Sequence, residues 1–217
     1  MDKNIDSARQ SLFSLLGNIF SFKCKVSQTT LLHAWSIYIH PVLRSGLAAL
    51  PIRPSVVKTA TNFHHKVLRG ILKLGPSSPI APLYFLLGEL PVEALIHLDT
   101  LMLFWSIWAN PHTKIYQIVK YLLLISSSKS LTWSSHIRLL CNQYGLPDPL
   151  ILISSNLWAK ELWKSVTRTA VAIYHETKWR KKAATNSKLN FFNVKITGLV
   201  SRPHPVLSGV LTTPFLH

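Results

Sequence analysis

The chain has 217 residues, of which 48% are hydrophobic and 15% are charged. This length and hydrophobic content allow one or two domains with a buried core. Lysine and arginine number 24 against eight aspartate and glutamate residues, so the formal net charge is +16. Such a charge favours a polyanionic partner, either nucleic acid or an anionic membrane surface, although a basic surface can also serve only to keep an apolar protein in solution.

The residues themselves exclude several kinds of site and segment. Cys24 and Cys141 stand far apart, and no histidine, including the His64–His65 pair, completes the close ligand set of a structural zinc site. We therefore expect no metal site. We also expect both thiols to be reduced and the protein to be intracellular, either nuclear or cytoplasmic. The polar start of the chain is unlike a secretory signal. The most apolar segment, 94–110, contains polar residues and is shorter than the roughly 20 apolar residues of a membrane span.

The first part of the chain predicts helices separated by a proline-rich connection. Apolar residues at helical spacing predict a helix over 4–20. Ser27 is the predicted N-cap of a second helix, which should end before Pro41. The inward side chains of that second helix should be Leu31, Leu32, Trp35, Tyr38 and Ile39. Prolines and Gly46 then predict an irregular connection up to Pro54.

A third helix is the clearest physical signal in the chain. Ser55 can cap it, and it should run to about Leu74 and end at Gly75. Apolar residues follow one face at steps of three and four: Val56, Ala60, Phe63, Val67, Ile71 and Leu74. Polar and basic residues follow the opposite face: Lys58, Asn62, Lys66, Arg69 and Lys73. An ordinary solvated face carries both signs of charge, whereas this face has no acid, so we expect it to contact phosphates.

The next segment predicts the buried centre of the fold. Prolines at two helix starts predict a short helix over 83–87 and a long one over 92–108. Apolar residues cover almost every face of the long helix, so it should be buried. Glu89 and Glu93 lie near its positive end and are interpreted as helix-start residues. Paired catalytic carboxylates are the less favoured interpretation, because no histidine or phosphate loop stands beside them.

Beyond Pro111 the pattern predicts further helices over 113–125, 133–144 and from Ser155 onward. In the first of these the inward side chains should be Ile115, Ile118, Val119 and Leu122. Gly145 is the expected C-terminal cap of the second. The predicted fold is therefore mainly α. It has a helical domain over 1–111, a helical linker region over 112–184 and an extended, poorly ordered, proline-rich tail over 185–217.

The last long helix ends in a cluster of cations around an indole: Lys178, Trp179, Arg180, Lys181 and Lys182. The cations can contact phosphates, and the Trp179 indole can stack on a base. A nuclear localisation patch and a set of cations that stabilise the helix C-terminus remain open as alternatives.

No catalytic constellation is found in the sequence. It has no glycine-rich phosphate loop, no nucleophile elbow and no carboxylate cluster for two-metal catalysis. Its serine, histidine and aspartate residues do not form a triad by spacing alone. The residues by themselves therefore predict a basic, mainly helical binding module that is not an enzyme and needs no cofactor.

Four segments occur in a suggestive order. They are Ala8-Arg9, the run HPVLRSG at 40–46, the run FHHKVLRGILKLGPSSPIAPLYFLLGELPVEA at 63–94 and the run SRPHPVLSGVLTTP at 201–214. This order resembles the thumb and post-thumb linker that follow the catalytic palm in reverse transcriptases of non-LTR (LINE-type) retrotransposons. The resemblance covers nearly the whole chain, more loosely after Pro111. Ser45 departs from the aromatic that this family often has before the glycine.

The resemblance implies a thumb-like helical bundle that holds an RNA template or an RNA–DNA duplex against the palm of a parent polyprotein. The family's acidic palm motif would lie upstream and its zinc knuckle downstream, so no catalytic residue is carried over. Backbone contacts would come from Lys58, Lys66, Arg69 and Lys73, with a second patch at Lys178, Trp179, Arg180, Lys181 and Lys182. Two alternatives are a helical module for protein or membrane surfaces, and a retroelement-derived fragment with no selected activity.

Overall fold

The computed structural model describes residues 27–51, 54–80, 83–84, 87, 89–125, 132–155 and 157–184, together with Asp6, Ser7, Gln10 and Ser14. Side chains are described as far as Lys181. The helix expected over 4–20 lies largely outside these residues, and the tail expected over 185–217 lies wholly outside them. Within them the protein is mainly helical and has no strand, which confirms the mainly α prediction.

The helices follow one another along the chain, and the segment 72–91 separates α3 from α4. They are α1 (Gln28–Ala34), a π-helical turn (Trp35–Ile39), α2 (His40–Arg44), a 3-10 turn (Leu47–Ala49), α3 (Pro54–Ile71), α4 (Val92–Trp108), α5 (Lys114–Ile125), α6 (Trp133–Gln143), α7 (Pro149–Ser154) and α8 (Lys160–Ala184). None of the helices in the described ranges is both long enough and apolar enough to cross a bilayer.

The chain folds into two compact units, each built from separate segments. Unit 1 comprises Met1–Ser45, Pro54–Val92 and Trp179–His217, and unit 2 comprises Gly46–Arg53 and Glu93–Lys178. These units group residues by contact. The boundaries at 111 and 184 that the sequence suggested remain a prediction.

In unit 1 the helix predicted after Ser27 begins where expected, and the helical stretch continues past its predicted end. The Ser27 hydroxyl accepts a hydrogen bond from the Thr30 N–H at 3.1 Å, which confirms it as the N-cap of α1. The prediction that this helix ends before Pro41 was wrong, because α2 runs through the proline to Arg44. The π-helical turn explains this result. Proline has no N–H to donate to the preceding turn, and its ring clashes with a carbonyl of that turn. The wider π turn before Pro41 accommodates the ring and the missing hydrogen bond.

The core of unit 1 lies between this first helical stretch and α3. Side chains on both helices are buried there: Leu32, Trp35, Ile39 and Leu43 face Ala60, Phe63, Val67, Leu68 and Ile71. Tyr38 was expected inside and is instead 61% exposed, since it lies on the outer side of the π turn. Of the short helix expected over 83–87, Leu83, Tyr84 and Leu87 are described, and all three are buried.

Tryptophans hold α4 and α8 together in unit 2. The indole N–H of Trp163 on α8 donates to the carbonyl of Leu101 on α4 at 3.0 Å. The same indole packs on Phe104 and Trp108 at centroid distances of 6.3 and 6.2 Å. Leu101, Phe104 and Trp163 are fully buried, so α4 contributes to a core as its all-round apolar pattern predicted.

Helices α5, α6 and α7 pack on one another in unit 2. Arg138 on α6 joins all three: its Nη2 donates to the carbonyl of Leu123 on α5 at 2.6 Å. Its Nε lies 3.5 Å from a carboxylate oxygen of Asp148. Asp148 is in turn the N-cap of α7 and accepts the Leu150 N–H at 2.8 Å. One guanidinium therefore meets the carbonyl end of one helix and the cap of another, where helix termini leave backbone groups without intrahelical partners.

The inward face predicted for α5 was right for Val119 and wrong for Ile115 and Ile118. Its buried side chains are Tyr116, Val119 and Leu123, whereas Ile115 and Ile118 are 60% and 57% exposed. The sequence pattern was ambiguous because apolar residues occupy nearly all positions from Ile115 to Ile125. Periodicity alone could not select the inward face.

Candidate nucleic-acid interface

Helix α3 carries the basic face that the sequence suggested. Successive residues turn by about 100° along an α-helix, which places Lys58, Asn62, Lys66 and Arg69 on one side. The opposite side is buried, with Phe63, Val67 and Ile71 among its members. The predicted faces are therefore confirmed from Ala60 to Ile71. Leu74 is excluded because the helix ends before it and its side chain is 39% exposed.

The lysines of this face reach solvent. Lys58 and Lys66 are exposed, as is Asn62 between them. No aspartate or glutamate occurs anywhere between Pro54 and Ile71. The two ammonium groups therefore project from a helix surface that has no negative charge of its own to attract them. Their placement suits contact with phosphates, because a lysine ammonium acts as a compact point charge.

Arg69 has a structural task that sequence reasoning missed. Its Nε and Nη2 both donate to the carbonyl of Ser78, at 3.1 and 2.8 Å. The guanidinium thus fastens the connection after α3 to the side of the helix, and its side chain is half-buried. Arg69 still contributes positive charge to the face, but two of its donors are already used.

Lys73 lies beyond the helix, at the turn that ends it. Its φ is 54°, in the left-handed region that glycine normally occupies. Its N–H donates to Gly70 at 3.2 Å, and the Leu74 N–H donates to Arg69 at 2.8 Å. These two bonds form a Schellman motif with Lys73 at its left-handed position. The helix was expected to end at Gly75, so the end comes earlier and on a less suitable residue.

The second predicted patch, at the end of α8, is only partly a free surface. The Lys178 ammonium lies 3.8 Å from a carboxylate oxygen of Glu93 and 5.8 Å from the centre of the Tyr174 ring. Arg180 is half-buried, and Lys181 is exposed. The side chain of Lys182 lies outside the described residues. Within the cluster, Lys178 makes contacts inside unit 2, whereas Lys181 is exposed to solvent.

The Trp179 indole does not occupy the position expected of a base-stacking residue. It is 8% exposed and stacks on Tyr84, with ring centroids 4.6 Å apart and planes 12° from parallel. Tyr84 is itself 1% exposed. Trp179 therefore forms an aromatic contact inside unit 1. The base-stacking role predicted for it was wrong, since a base needs an exposed ring face.

Glu89 and Glu93 have different partners in the structure. Glu93 lies in the first turn of α4, where a carboxylate is favoured by the helix dipole, and pairs with Lys178. Glu89 precedes the helix and accepts a hydrogen bond from the Ser36 hydroxyl at 3.0 Å. Burial raises its pKa, an effect that this hydrogen bond and the charge of His33 partly oppose. Glu89 thus makes a tertiary contact within unit 1.

A buried aromatic cluster lies behind the basic face of α3, and sequence reasoning missed it. His64 on α3 is 0% exposed; its ring lies 4.7 Å from the His40 ring and stacks on Trp35 at 5.4 Å. Among the described residues, neither ring nitrogen of His64 has a hydrogen-bond partner. Burial holds the pKa of His64 well below its usual 6.5, and lowers that of His40 to about 3. The signal was present in the sequence, because Ala60, His64 and Leu68 recur every four residues on the apolar face.

These buried imidazoles are neutral core residues. A neutral ring can be buried at a modest energetic cost, whereas a buried charge without a partner costs much more. Among the described residues, no group of three or more histidine, cysteine or acidic side chains is arranged to hold a metal ion. The positive charge of unit 1 therefore comes from lysine and arginine.

The exposed face of α3 carries Lys58 and Lys66 on a helix that contains no acidic residue. Such a surface can bind the phosphates of a polyanion. No family model, no curated protein and no solved structure matches the chain.

Proposed function

We propose that unit 1 binds the sugar-phosphate backbone of RNA, or of an RNA–DNA duplex, through the exposed face of α3. One observation carries this proposal: Lys58 and Lys66 are exposed on a helix that contains no acidic residue. Each lysine that approaches a phosphate releases condensed counterions, and this release drives binding. The net charge of +16 attracts the polyanion from a distance.

The proposed binding is independent of nucleotide sequence. Lysine contacts to phosphate fix position, whereas base contacts give specificity. The Trp179 indole, which was expected to stack on a base, is buried against Tyr84. Arg69 contributes charge, but its fork of donors is turned toward Ser78. The resemblance to a retrotransposon thumb supports the same role, because a thumb holds template or duplex while another domain performs the chemistry.

The first experiment compares two variants that lose equal charge. Lys58→Gln/Lys66→Gln removes two cations from the α3 face. Lys164→Gln/Arg168→Gln removes two exposed cations from α8. Binding to a single-stranded RNA is measured at several salt concentrations by fluorescence anisotropy, with circular dichroism to verify folding. We expect the α3 variant to lose about tenfold in affinity at low salt and its log K–log salt slope to fall by about 1.4, or ~0.7 for each lost phosphate contact.

The α8 variant is the matched control. We expect its slope to stay within error of the original protein, since these two cations are not part of the α3 face and their loss weakens long-range attraction without removing a phosphate contact. Equal changes in slope for the two variants would contradict the proposal. They would show that binding depends on total charge and not on the α3 face.

A further inference from the structure

Helix α5 in unit 2 has an outward face that is unusual for a solvated helix. Its inward side chains, Tyr116, Val119 and Leu123, are buried. At about 100° per residue, Ile115, Ile118, Tyr121 and Ile125 fall in one sector of about 120° on the other side. They are 60%, 57%, 62% and 58% exposed, and Leu124 beside them is 63% exposed. This set of residues, Ile115, Ile118, Tyr121, Leu124 and Ile125, is named the α5 stripe.

The charge around the α5 stripe is of one sign. Lys114 begins the helix and Lys120 lies on its flank, and both are exposed. No acidic residue occurs between Lys114 and Ile125. The outward surface therefore combines large apolar side chains, cations at the edge, and a tyrosine whose ring and hydroxyl suit an apolar–polar boundary.

We propose that the α5 stripe is a docking surface for a lipid membrane that carries anionic headgroups. In such a membrane, phosphates lie above an acyl region within the thickness of one helix. A helix lying flat would place the stripe at the acyl boundary and Lys114 and Lys120 among the phosphates, with long lysine side chains reaching the headgroups. The buried apolar area and the attraction between lysines and anionic headgroups would then both strengthen membrane binding.

Other occupants fit this chemistry less well. RNA would meet the lysines, but the exposed isoleucines and leucine offer nothing to a sugar-phosphate backbone. A second copy would cover the apolar side chains while bringing Lys114 and Lys120 of both copies together without an acid on the helix to pair with them. The net charge of +16 adds to that repulsion. Of these three occupants, the anionic lipid surface alone meets both the apolar side chains and the two lysines.

The length of α5 fixes how it would meet the membrane. Its 12 residues extend over about 18 Å, which is shorter than the roughly 30 Å of a hydrocarbon core. The helix would therefore lie in the interface without crossing it. Its inward face stays in the core of unit 2, so docking requires no unfolding.

The test measures co-flotation of the whole protein with vesicles of two compositions, phosphatidylcholine alone and phosphatidylcholine with 30% phosphatidylserine. We expect binding to the second composition only. The variant Ile118→Ser/Ile125→Ser should reduce its partition coefficient by at least about tenfold, because two exposed isoleucines no longer bury apolar area. Its affinity for RNA should stay unchanged, which separates this result from the function proposed for α3.

The matched control is Ile37→Ser/Ile173→Ser, which replaces two similarly exposed isoleucines elsewhere in the chain, 64% and 56% exposed. It should bind vesicles as the original protein does. An equal loss in both variants, or no loss in the α5 variant, would overturn the proposal. A concentration-dependent dimer in sedimentation equilibrium that disappears only in the α5 variant would overturn it in favour of a second copy.

Discussion

Single residues decide how two helices of this protein end. Helix α6 ends with Gly145 in the left-handed region, at φ 65°, and the Leu146 N–H donates to the Cys141 carbonyl at 2.8 Å. This confirms the cap that the sequence suggested. Helix α3 ends in the same motif with Lys73 at the equivalent position, at φ 54°. A lysine Cβ in this conformation lies close to the following carbonyl, which costs about 1 kcal/mol relative to glycine.

The substitution Lys73→Gly should therefore stabilise the protein. We expect an increase of about 0.5–1 kcal/mol in the free energy of unfolding, because glycine removes the strain but gives the unfolded chain more freedom. Urea unfolding followed by circular dichroism measures the change.

Two further variants serve as controls for this prediction. Lys73→Ala removes the same charge and keeps the strained φ, so it should show no gain. Gly145→Ala introduces the strain at the end of α6 and should cost about 1 kcal/mol. Apart from its own chain neighbours, no described residue has an atom within 4 Å of where a Cβ on Gly145 would lie, so the cost there comes from the backbone conformation. A gain in Lys73→Ala equal to that in Lys73→Gly would assign the effect to charge.

Elements of unit 2 are joined by a buried hydrogen-bonded chain. The hydroxyl of Tyr144, at the end of α6, lies 2.6 Å from Nδ1 of His97 on α4 and 3.3 Å from Nε2 of His175 on α8. Burial raises the pKa of this phenol, so it keeps its proton. The hydroxyl therefore donates to one imidazole and accepts an N–H from the other. Three helices meet at one oxygen atom.

The variant Tyr144→Phe should destabilise the protein by about 2 kcal/mol or more, because it leaves two buried imidazole nitrogens without that partner. The ring contacts with His97 and Tyr174 are kept, so loss of packing contributes little. Chemical denaturation gives the measurement. Tyr121→Phe removes an exposed hydroxyl and should change stability by less than about 0.5 kcal/mol. Equal stability of Tyr144→Phe and the original protein would show that the hydroxyl network adds nothing.

The sequence predicted elements better where one face was clearly polar. Helix α3 shows this, since its lysines and its apolar residues separate cleanly and the structure buries the expected side. Helix α5 is the opposite case, because almost every position is apolar and its neighbours α6 and α7 select the inward face. Pro41 suggested a helix end that the π turn removed. Such a turn depends on backbone geometry that residue spacing does not record.

The sequence was enough to predict the exposed charges of the candidate interface, but not the tertiary contacts that its residues make. Lys58 and Lys66 could be placed with a helical wheel, because their exposure follows from the separation of polar and apolar residues along α3. Trp179 and Tyr84 are 95 positions apart in the chain, and their stacking follows from tertiary packing alone. In the sequence Arg69 resembles the other surface cations of α3. Its hydrogen bonds to Ser78 exist because the segment after α3 folds back along the helix, which residue spacing does not show.

At the scale of the whole molecule, buried histidines make folding sensitive to acid. Both units contain histidines whose pKa values burial lowers: His40, His64 and His65 in unit 1, and His97, His136 and His175 in unit 2. Burial lowers the pKa to about 3 at His40 and His97 and to about 4 at His65 and His175. Nearby cations act in the same direction, namely Arg44 on His40, Arg69 on His65 and Lys178 on His175.

The sign of the effect follows from proton uptake. Below about pH 6.5 the unfolded chain protonates these imidazoles, whereas the folded state keeps them neutral. Acid therefore favours the unfolded state, and the histidine contribution to stability should fall from about pH 6.5 to about pH 3. A well-buried group such as His40 contributes a slope of at most about 1.4 kcal/mol per pH unit. Glu89 acts in the opposite direction, because its raised pKa lets the folded state take up a proton first.

The variant His40→Leu isolates one of these contributions. Leucine replaces the buried ring with an apolar side chain, and the Nε2 that it removes has no hydrogen-bond partner among the described residues. Between pH 6.5 and 5.5 the variant should lose about 1 kcal/mol less stability than the original protein, measured by urea unfolding at each pH. His112→Gln, which replaces an exposed imidazole, is measured beside it as a control for the loss of one histidine. If His40→Leu and the original protein lose stability in parallel as the pH falls, His40 is already protonated in the folded state and its environment is more polar than the described contacts with Trp35 and His64 imply.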